Sequence, residues 1–484
     1  MKKILTILMI LSVVGCKKTL VEDPKGQVVG AQALSTVAGL NAALVGAYKP
    51  LSTTWVSGFT TAAVVAVLMG SDDLTTHPAS NKADLREFDQ YHVSSLNGRM
   101  LNIWNGCYKS IQGANNIINN YKSTTGDAAT INQIVGEAYY LRALDYYWLV
   151  RLWGKIPLIT SEVYNPDVLK VGTSAPAEIY KLIESDLLNA EKLMQNKKLD
   201  AGRTSKGAAS ALLADVYLTE GGWPINDNSK YALAAAKAKE VIDNKTAYGF
   251  DLVSDLSTLW QNTRLGTTTS EEVFAIHNCG TCNWFNANAL YGSSAMPGEE
   301  NGWDDYFTEI RFFNDFPAGP RKDATFHTVI KKSDGTTIPW QSDAVKHPYY
   351  EKFRAPVEGS TDGSSATVQM MRYAHVLLIY AEAQARSGAV NDQAYASVNA
   401  VRSRAGLASL SLGLSSTDFI KAVINERAWE FAGEYTRWFD ITRLQLLTQV
   451  IADRDPSENV PIGTPQYYLP IPAGDLQLNP NLGN

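Results

Sequence analysis

Along most of this chain, apolar side chains return every three or four positions, and the segments that show this come in pairs. From Glu137 to Trp153 the pattern places Tyr140, Ala143, Leu144, Tyr147 and Trp148 on one face, with Arg142 and Asp145 off it, the signature of an amphipathic helix. Gly154 and Pro157 end that helix. A partner follows from about Ala177 to Met194, where Ile179, Leu182, Ile183, Leu187 and Leu193 recur. Ser205–Leu218 and Tyr231–Ile242 repeat the plan across Gly221, Gly222 and Pro224. Met371–Ser387 and Asp392–Ala405 repeat it again, with Ala381, Ala383, Ala385, Ala394 and Ala400 where two helices would approach closely. A weaker pair is Leu40–Tyr48 with Leu101–Tyr121. From Ile420 to Leu447 a helical stripe of Ile420, Ile424, Phe431, Tyr435 and Trp438 is expected to be buried.

The expected fold is therefore mainly α: tetratricopeptide-like helix pairs stacked into a superhelical scaffold, although the spacing between pairs is irregular and the full consensus is absent. Such stacks bury a continuous core and leave loops free to bind. Between about Phe250 and Val368 the periodicity gives way to Gly, Asn, Asp, Ser and Pro clusters with short β-like runs such as Glu272–Ile276. Long irregular segments inside a compact protein usually carry function, and this one also concentrates aromatics.

The first residues change the cellular picture. Lys2 and Lys3 precede an apolar run, Ile4–Val14, that is too short for a membrane span of roughly 20 residues and has the layout of a secretory signal. It ends in Val13-Val14-Gly15-Cys16, which resembles a bacterial lipobox and by that resemblance makes Cys16 the acylated first residue of the mature chain. The expected division is 1–15 signal peptide, 16–38 lipidated terminus and tether, 39–249 N-terminal helical region, 250–368 loop-rich ligand-binding region, and 369–484 C-terminal helical region.

A formal charge of −6, or −8 once Lys2 and Lys3 leave with the signal, lacks the basic footprint of a nucleic-acid binder. Cys279-Gly280-Thr281-Cys282 could be a redox pair, half a zinc site or a local disulfide. With no second such motif and no strand–helix context, a loop-stiffening disulfide is the favoured reading in an exported chain. Cys107 reads as a small buried side chain on a helix.

Sugar rings present an apolar face and a rim of hydroxyls, so a binder needs aromatic platforms beside polar partners. Two clusters have that mix. One runs from Asp72 to Asn81 and on to Arg86 and Tyr91, with His77 and Asn81 at its centre; the other holds Trp284, Asn286, Tyr291 and Trp303, and Trp340 lies in the same region. These nine residues, His77, Asn81, Arg86, Tyr91, Trp284, Asn286, Tyr291, Trp303 and Trp340, are the candidate ligand contacts. Glu299, Glu300, Asp304 and Asp305 could in principle supply the two carboxylates of a glycoside hydrolase, but acidic loop runs are more often solvated. No zinc-protease motif or nucleophile elbow occurs, and Gly202–Gly207 has P-loop glycine spacing without the following Lys and hydroxyl residue. No catalytic residue, metal site or cofactor is assigned. Glu426, Glu430 and Glu434, four apart, are expected to form a structural ion-pair framework with Arg427, Arg437 or Arg443.

Three blocks together resemble the SusD/RagB family of Bacteroidetes outer-membrane lipoproteins. They are Glu137–Ala143 with Leu152–Leu158; Ala381–Ala383, Asn399–Leu407, Asn425–Phe431 and Arg437–Asp440; and Tyr468–Pro472 with Asn479–Leu482. The resemblance implies a non-enzymatic, tetratricopeptide-like protein at the cell surface. It implies that the chain captures a glycan and passes it to a SusC-like TonB-dependent transporter, with the outer-membrane lipid holding it through Cys16. Capture of a peptide or glycoprotein, and a helical scaffold that binds only protein, remain the alternatives.

Overall fold

The computed structural model describes residues 32–52, 57–59, 67–78, 80–161, 169–260, 268–282, 292–352, 354, 364–434, 436–456, 458 and 461–483. Nine helices of twelve or more residues among them carry the fold: α1 Val37–Tyr48, α2 Gly98–Asn120, α3 Ala128–Trp153, α4 Pro176–Leu193, α5 Lys206–Glu220, α6 Lys230–Asp243, α7 Tyr373–Ser387, α8 Asp392–Arg404 and α9 Ser416–Glu430. The first eight pack chiefly on their neighbours in order, with α6 packing on α7 across the intervening irregular region, and α9 packs on α7 rather than on α8. The helices thus form a continuous stack of antiparallel pairs, the mainly α, tetratricopeptide-like architecture expected from the periodicity, and none is long and apolar enough to cross a membrane.

The starts are set by side-chain caps. Thr36, Asn97, Asp127, Ser205 and Asn391 each accept a hydrogen bond from a backbone N–H in the first turn, satisfying donors the helix leaves open. α3 ends at Gly154, whose φ of 70° costs little without a Cβ. Close approach of a loop to a helix needs a small residue: a Cβ on Gly106 of α2 would lie 2.6 Å from the Gly58 nitrogen.

The structure corrects two details of the pattern. α3 is buried nearly all round rather than on one stripe, and Arg142 and Asp145 are inside. Arg142 is tolerated there because its guanidinium forks onto Asp186 of α4 at 2.7 Å for both bonds and donates to Asn115 of α2 at 2.8 Å, pairing the buried charge. The stripe expected from Ile420 to Leu447 is not one helix. α9 stops at Glu430, Gly433 turns the chain at φ 72°, and a short helix resumes at Arg437. Phe419, Val423, Glu426, Arg427 and Glu430 take its inward face, while Ile420 and Ile424 are half-buried; Tyr435 lies outside the described residues.

The irregular region is stapled at its base by an antiparallel pair, β4 (Glu272–Ile276) with β10 (Val368–Arg372). Beneath that staple lies a buried ionic cluster. Arg372, fully enclosed, donates to Glu271, Glu430 and Glu434, with Nε 2.8 Å from Glu434 Oε2. Arg321 binds Glu426 and Glu430, Arg402 binds Glu426, Arg404 binds Glu271 and Glu430, and Lys352 binds Glu434. The glutamates do form a structural framework, but with cations from other elements. The expected partners go elsewhere: Arg427 to Asp440, Arg443 to Glu382 and Asp440, Arg437 to Asp72. An inward-facing glutamate meets whatever packs over its helix, which local spacing does not reveal.

Candidate functional site

Short two-stranded ladders shape the irregular region. β1 (Leu74–Thr76) pairs antiparallel with β5 (Tyr306–Thr308), Thr76 opposite Tyr306. β6 (Phe326–His327) pairs with β9 (Tyr349–Tyr350), and β7 (Val329–Lys331) forms a hairpin with β8 (Thr337–Pro339). The β1–β5 ladder is the decisive one, because it joins two loops more than 200 residues apart in sequence. Past Thr76 the chain enters the loop of His77 and Asn81 and then the short helix Ala83–Asp89 that carries Arg86; just before Tyr306 lie Trp303, Asp304 and Asp305. Two bonds lock this junction: Thr76 Oγ1 donates to the Asp305 carbonyl at 2.6 Å, and the Lys82 ammonium pairs with the Asp305 carboxylate.

Within the junction, His77 is half-buried and its carbonyl accepts from the half-buried Arg86 at 3.3 Å; Asn81 is exposed. Trp303 is half-buried, its backbone N–H donating to the Ser293 carbonyl at 2.8 Å. Trp340 caps a small cluster of Phe307, Ile330 and Tyr349, separate from the main core, and meets Phe313 edge-on at 5.8 Å. Phe307 belongs to β5, the strand that begins three residues after Trp303. The β1–β5 ladder and the Lys82–Asp305 pair thus set the segment of His77, Asn81 and Arg86 beside the chain that carries Trp303, while Trp340 packs at Phe307 of β5.

Tyr91 stands apart. It is only 6% exposed, its hydroxyl donates to the Gly70 carbonyl at 2.8 Å, and its ring stacks on Trp438 at 6.4 Å. It lines a separate cavity of about 560 Å³ with His92, Trp438, Gln466 and Tyr468. Trp284, Asn286 and Tyr291 lie outside the described residues, as does Cys16. The Cys279–Cys282 disulfide is formed, at the foot of the loop that leads into that segment.

Carboxylates surround the junction in four different states. Burial works to raise the pKa of Glu300, but bonds from His327 and the Lys331 N–H and the charge of Arg354 outweigh it and hold it at about 2. Asp304 accepts from the Tyr349 hydroxyl at 2.6 Å and from the Gly298 N–H at 2.8 Å. Asp305 is tied to Lys82. Glu299 is pushed up, first by its contact with the Asp343 carboxyl and then by burial. Sequence reasoning had no reason to single out His327 or Tyr349, since their roles exist only once β6 and β9 pair; a histidine one residue after a buried Phe was the sole local hint.

Comparisons with known proteins point one way. Residues 21–218 match a family model described as "Starch-binding associating with outer membrane", and residues 325–484 match the model of the SusD family. SusD-like protein P2 of Formosa agariphila is 29% identical over 509 residues, covering 99% of this chain and 98% of its own. A SusD homolog from Bacteroides thetaiotaomicron superposes with a TM-score of 0.81 at 22% identity, over 93% of this chain and 96% of that one. A laminarin-binding SusD-like protein gives 0.74 at 26% identity, over 91% and 97%. The chain belongs to the SusD/RagB family of starch- and glycan-binding proteins associated with the outer membrane.

Proposed function

We propose that this protein is a cell-surface lipoprotein, anchored through acylated Cys16, that captures a polysaccharide or oligosaccharide and delivers it to a SusC-like TonB-dependent transporter without cleaving it. The observation that carries the ligand assignment is the β1–β5 ladder, which sets an amide- and cation-bearing loop beside Trp303 and Trp340. Half-buried indoles offer flat apolar platforms for the C–H face of a sugar, while Asn81, Arg86 and His77 offer donors and acceptors to its rim. The laminarin-binding relative supports a glycan over a peptide as ligand. The division into a tether at 16–38, helical regions at 39–249 and 369–484 and a ligand-binding region at 250–368 belongs to the same reading.

Binding without cleavage is supported by the carboxylates. A glycosidase needs an acid and a base or nucleophile separated by roughly 5–9 Å across a cleft. Here Glu299 and Asp343 touch each other, while Glu300 and Asp305 are committed to His327, Arg354 and Lys82.

Affinity electrophoresis in gels containing laminarin, xyloglucan or starch tests this. The wild type should be retarded by at least one of them, and Trp303→Ala or Trp340→Ala should weaken binding by roughly 1–2 kcal/mol, or about 5–30-fold. Release of reducing sugar by the purified protein, or undiminished retardation of both variants, would sink the reading.

A further inference from the structure

We propose that His327 is the positioning residue of the candidate glycan face: a charged tie between the turn leading to Trp303 and the hairpin leading to Trp340, which loosens as the medium becomes alkaline. The inference rests on the glycan reading for its consequence but on geometry for its mechanism.

His327 Nε2 lies 2.9 Å from Glu300 Oε1, and Nδ1 lies 3.0 Å from Glu351 Oε2. A neutral imidazole has one N–H and one lone pair, so it can donate to only one carboxylate and must turn its lone pair toward the other. The imidazolium donates to both. The two-carboxylate arrangement is thus that of the charged ring, and the environment agrees with it. Burial would lower the pKa of His327, but the bonds to Glu300 and Glu351 prevail and raise it above 6.5. Glu351 is correspondingly lowered, mainly by its bond to His327.

The surrounding charges come from each element packed on the ring. The turn Gly298–Glu300 supplies Glu300; the chain after β9 supplies Glu351 and Arg354, whose guanidinium binds both glutamates. β7 contributes the Lys331 backbone N–H, 2.8 Å from Glu300 Oε1, while its side chain is exposed. Opposite His327 on β9 is Tyr349, whose hydroxyl is directed to Asp304. On the preceding short helix, Arg321 is committed to Glu426 and Glu430, Lys322 to the Phe313 and Phe316 carbonyls, and Asp323 is exposed. Two carboxylates thus face Arg354 and His327, and the group is neutral only with the imidazole protonated.

The tie has leverage on both indoles. Glu300 closes the turn three residues before Trp303. The residue after His327, Thr328, presents the carbonyl that accepts from the Trp340 backbone N–H at 3.0 Å. Loss of the proton releases one carboxylate and frees the turn to shift against the hairpin.

The test uses the whole protein with His327→Gln, which cannot be charged, and His327→Arg, which stays charged and can still bridge both glutamates. Histidine ring NMR of the wild type should show a titration above 6.5 that vanishes in His327→Gln. Amide exchange across residues 326–340, corrected for its intrinsic pH dependence, should quicken in the wild type from about pH 6 to about pH 9. It should be fast throughout in His327→Gln and slow throughout in His327→Arg. Retardation by whichever polysaccharide binds should weaken severalfold over the same range in the wild type only. A His327 titration at or below 6.5, or equal exchange in wild type and His327→Gln, overturns the proposal. If no polysaccharide is bound, the glycan reading falls, and titration and exchange still decide whether the tie exists.

Discussion

Replacing Arg372 by Met tests whether the buried ionic cluster rivets the irregular region to the helical stack. Arg372 is fully enclosed and makes five hydrogen bonds: to Glu271, to Glu430 Oε1 at 3.0 Å and its backbone carbonyl at 3.2 Å, and to both oxygens of Glu434 at 2.8 and 2.9 Å. Removing one partner of a buried pair costs about 3–5 kcal/mol, because the other charge is left without compensation. Here each glutamate keeps a cation: Arg404 for Glu271, Arg404 and Arg321 for Glu430, Lys352 for Glu434. That places the expected loss near the lower end, about 3 kcal/mol. Urea unfolding followed by circular dichroism gives the global figure. Trp260 emission gives the local one, since Lys352 Nζ lies 4.7 Å and the Arg372 guanidinium carbon 5.6 Å from its ring. Lys239→Met is the control, because Lys239 pairs with Asp243 at the surface, where such pairs contribute roughly 0–1 kcal/mol. The pH dependence follows with a definite sign. Burial raises the Glu430 pKa, but Arg404, Arg372 and Arg321 pull it down to about 2. Its contribution is therefore complete above the ordinary glutamate value of about 4.3 and is lost as pH falls toward 2. Arg372→Met should move acid unfolding to higher pH. A loss below about 1 kcal/mol, no larger than the control, would refute the reasoning.

Two further outcomes follow from individual contacts. Gly106→Ala should cost about 1–3 kcal/mol in urea unfolding, because its Cβ would strike the Gly58 backbone at 2.6 Å; Gly98→Ala, which would meet nothing within 4 Å, should not. Glu309 is raised to about 7, by burial and then by Glu458, so the folded state holds its proton longer than the unfolded state does. It therefore makes stability fall as pH rises from about 4 to 7; Glu309→Gln should flatten that slope in a stability–pH series, and an unchanged slope counts against it.

The helical stack was legible because each pair satisfies its own 3.6-residue pattern locally, down to the break at Gly154. What could not be read was anything decided between elements. Arg142 and Asp145 looked like outward-facing charges, yet α4 and α2 cover them, and Asp186 and Asn115 receive the arginine. Glu426, Glu430 and Glu434 were legible as a network but not as one fed by Arg321, Arg372, Arg402, Arg404 and Lys352, cations that lie 24 to 109 residues away on other elements. The two polar, aromatic loops were each visible from composition. That they meet was not, because a three-residue strand such as Leu74–Thr76 carries too few positions for an alternation to register.

The helical stack and the proposed glycan face are held by different chemistry, and that separation has a physical basis. The helices share one continuous apolar core, and the irregular region is fixed to it at a base of paired strands and buried charge. Beyond that base, the core reaches into the region through residues such as Tyr306, Phe316, Phe326 and Tyr350, while its outer turns and hairpin are joined by two- and three-residue ladders and by polar links such as Lys82–Asp305 and His327–Glu300. Phe307, Ile330 and Tyr349 form its only separate apolar cluster among the described residues. A surface built this way is expected to open locally at lower free energy than the helices do. On the proposed glycan reading, this lets its indoles shift to fit a sugar while the stack stays folded. The proposed role of His327 has the same basis: Phe326 and Tyr350 seat β6 and β9 on the main core, whereas the turn at Glu300 and the chain after β9 are joined to His327 by polar bonds, of which the charged ring supplies two.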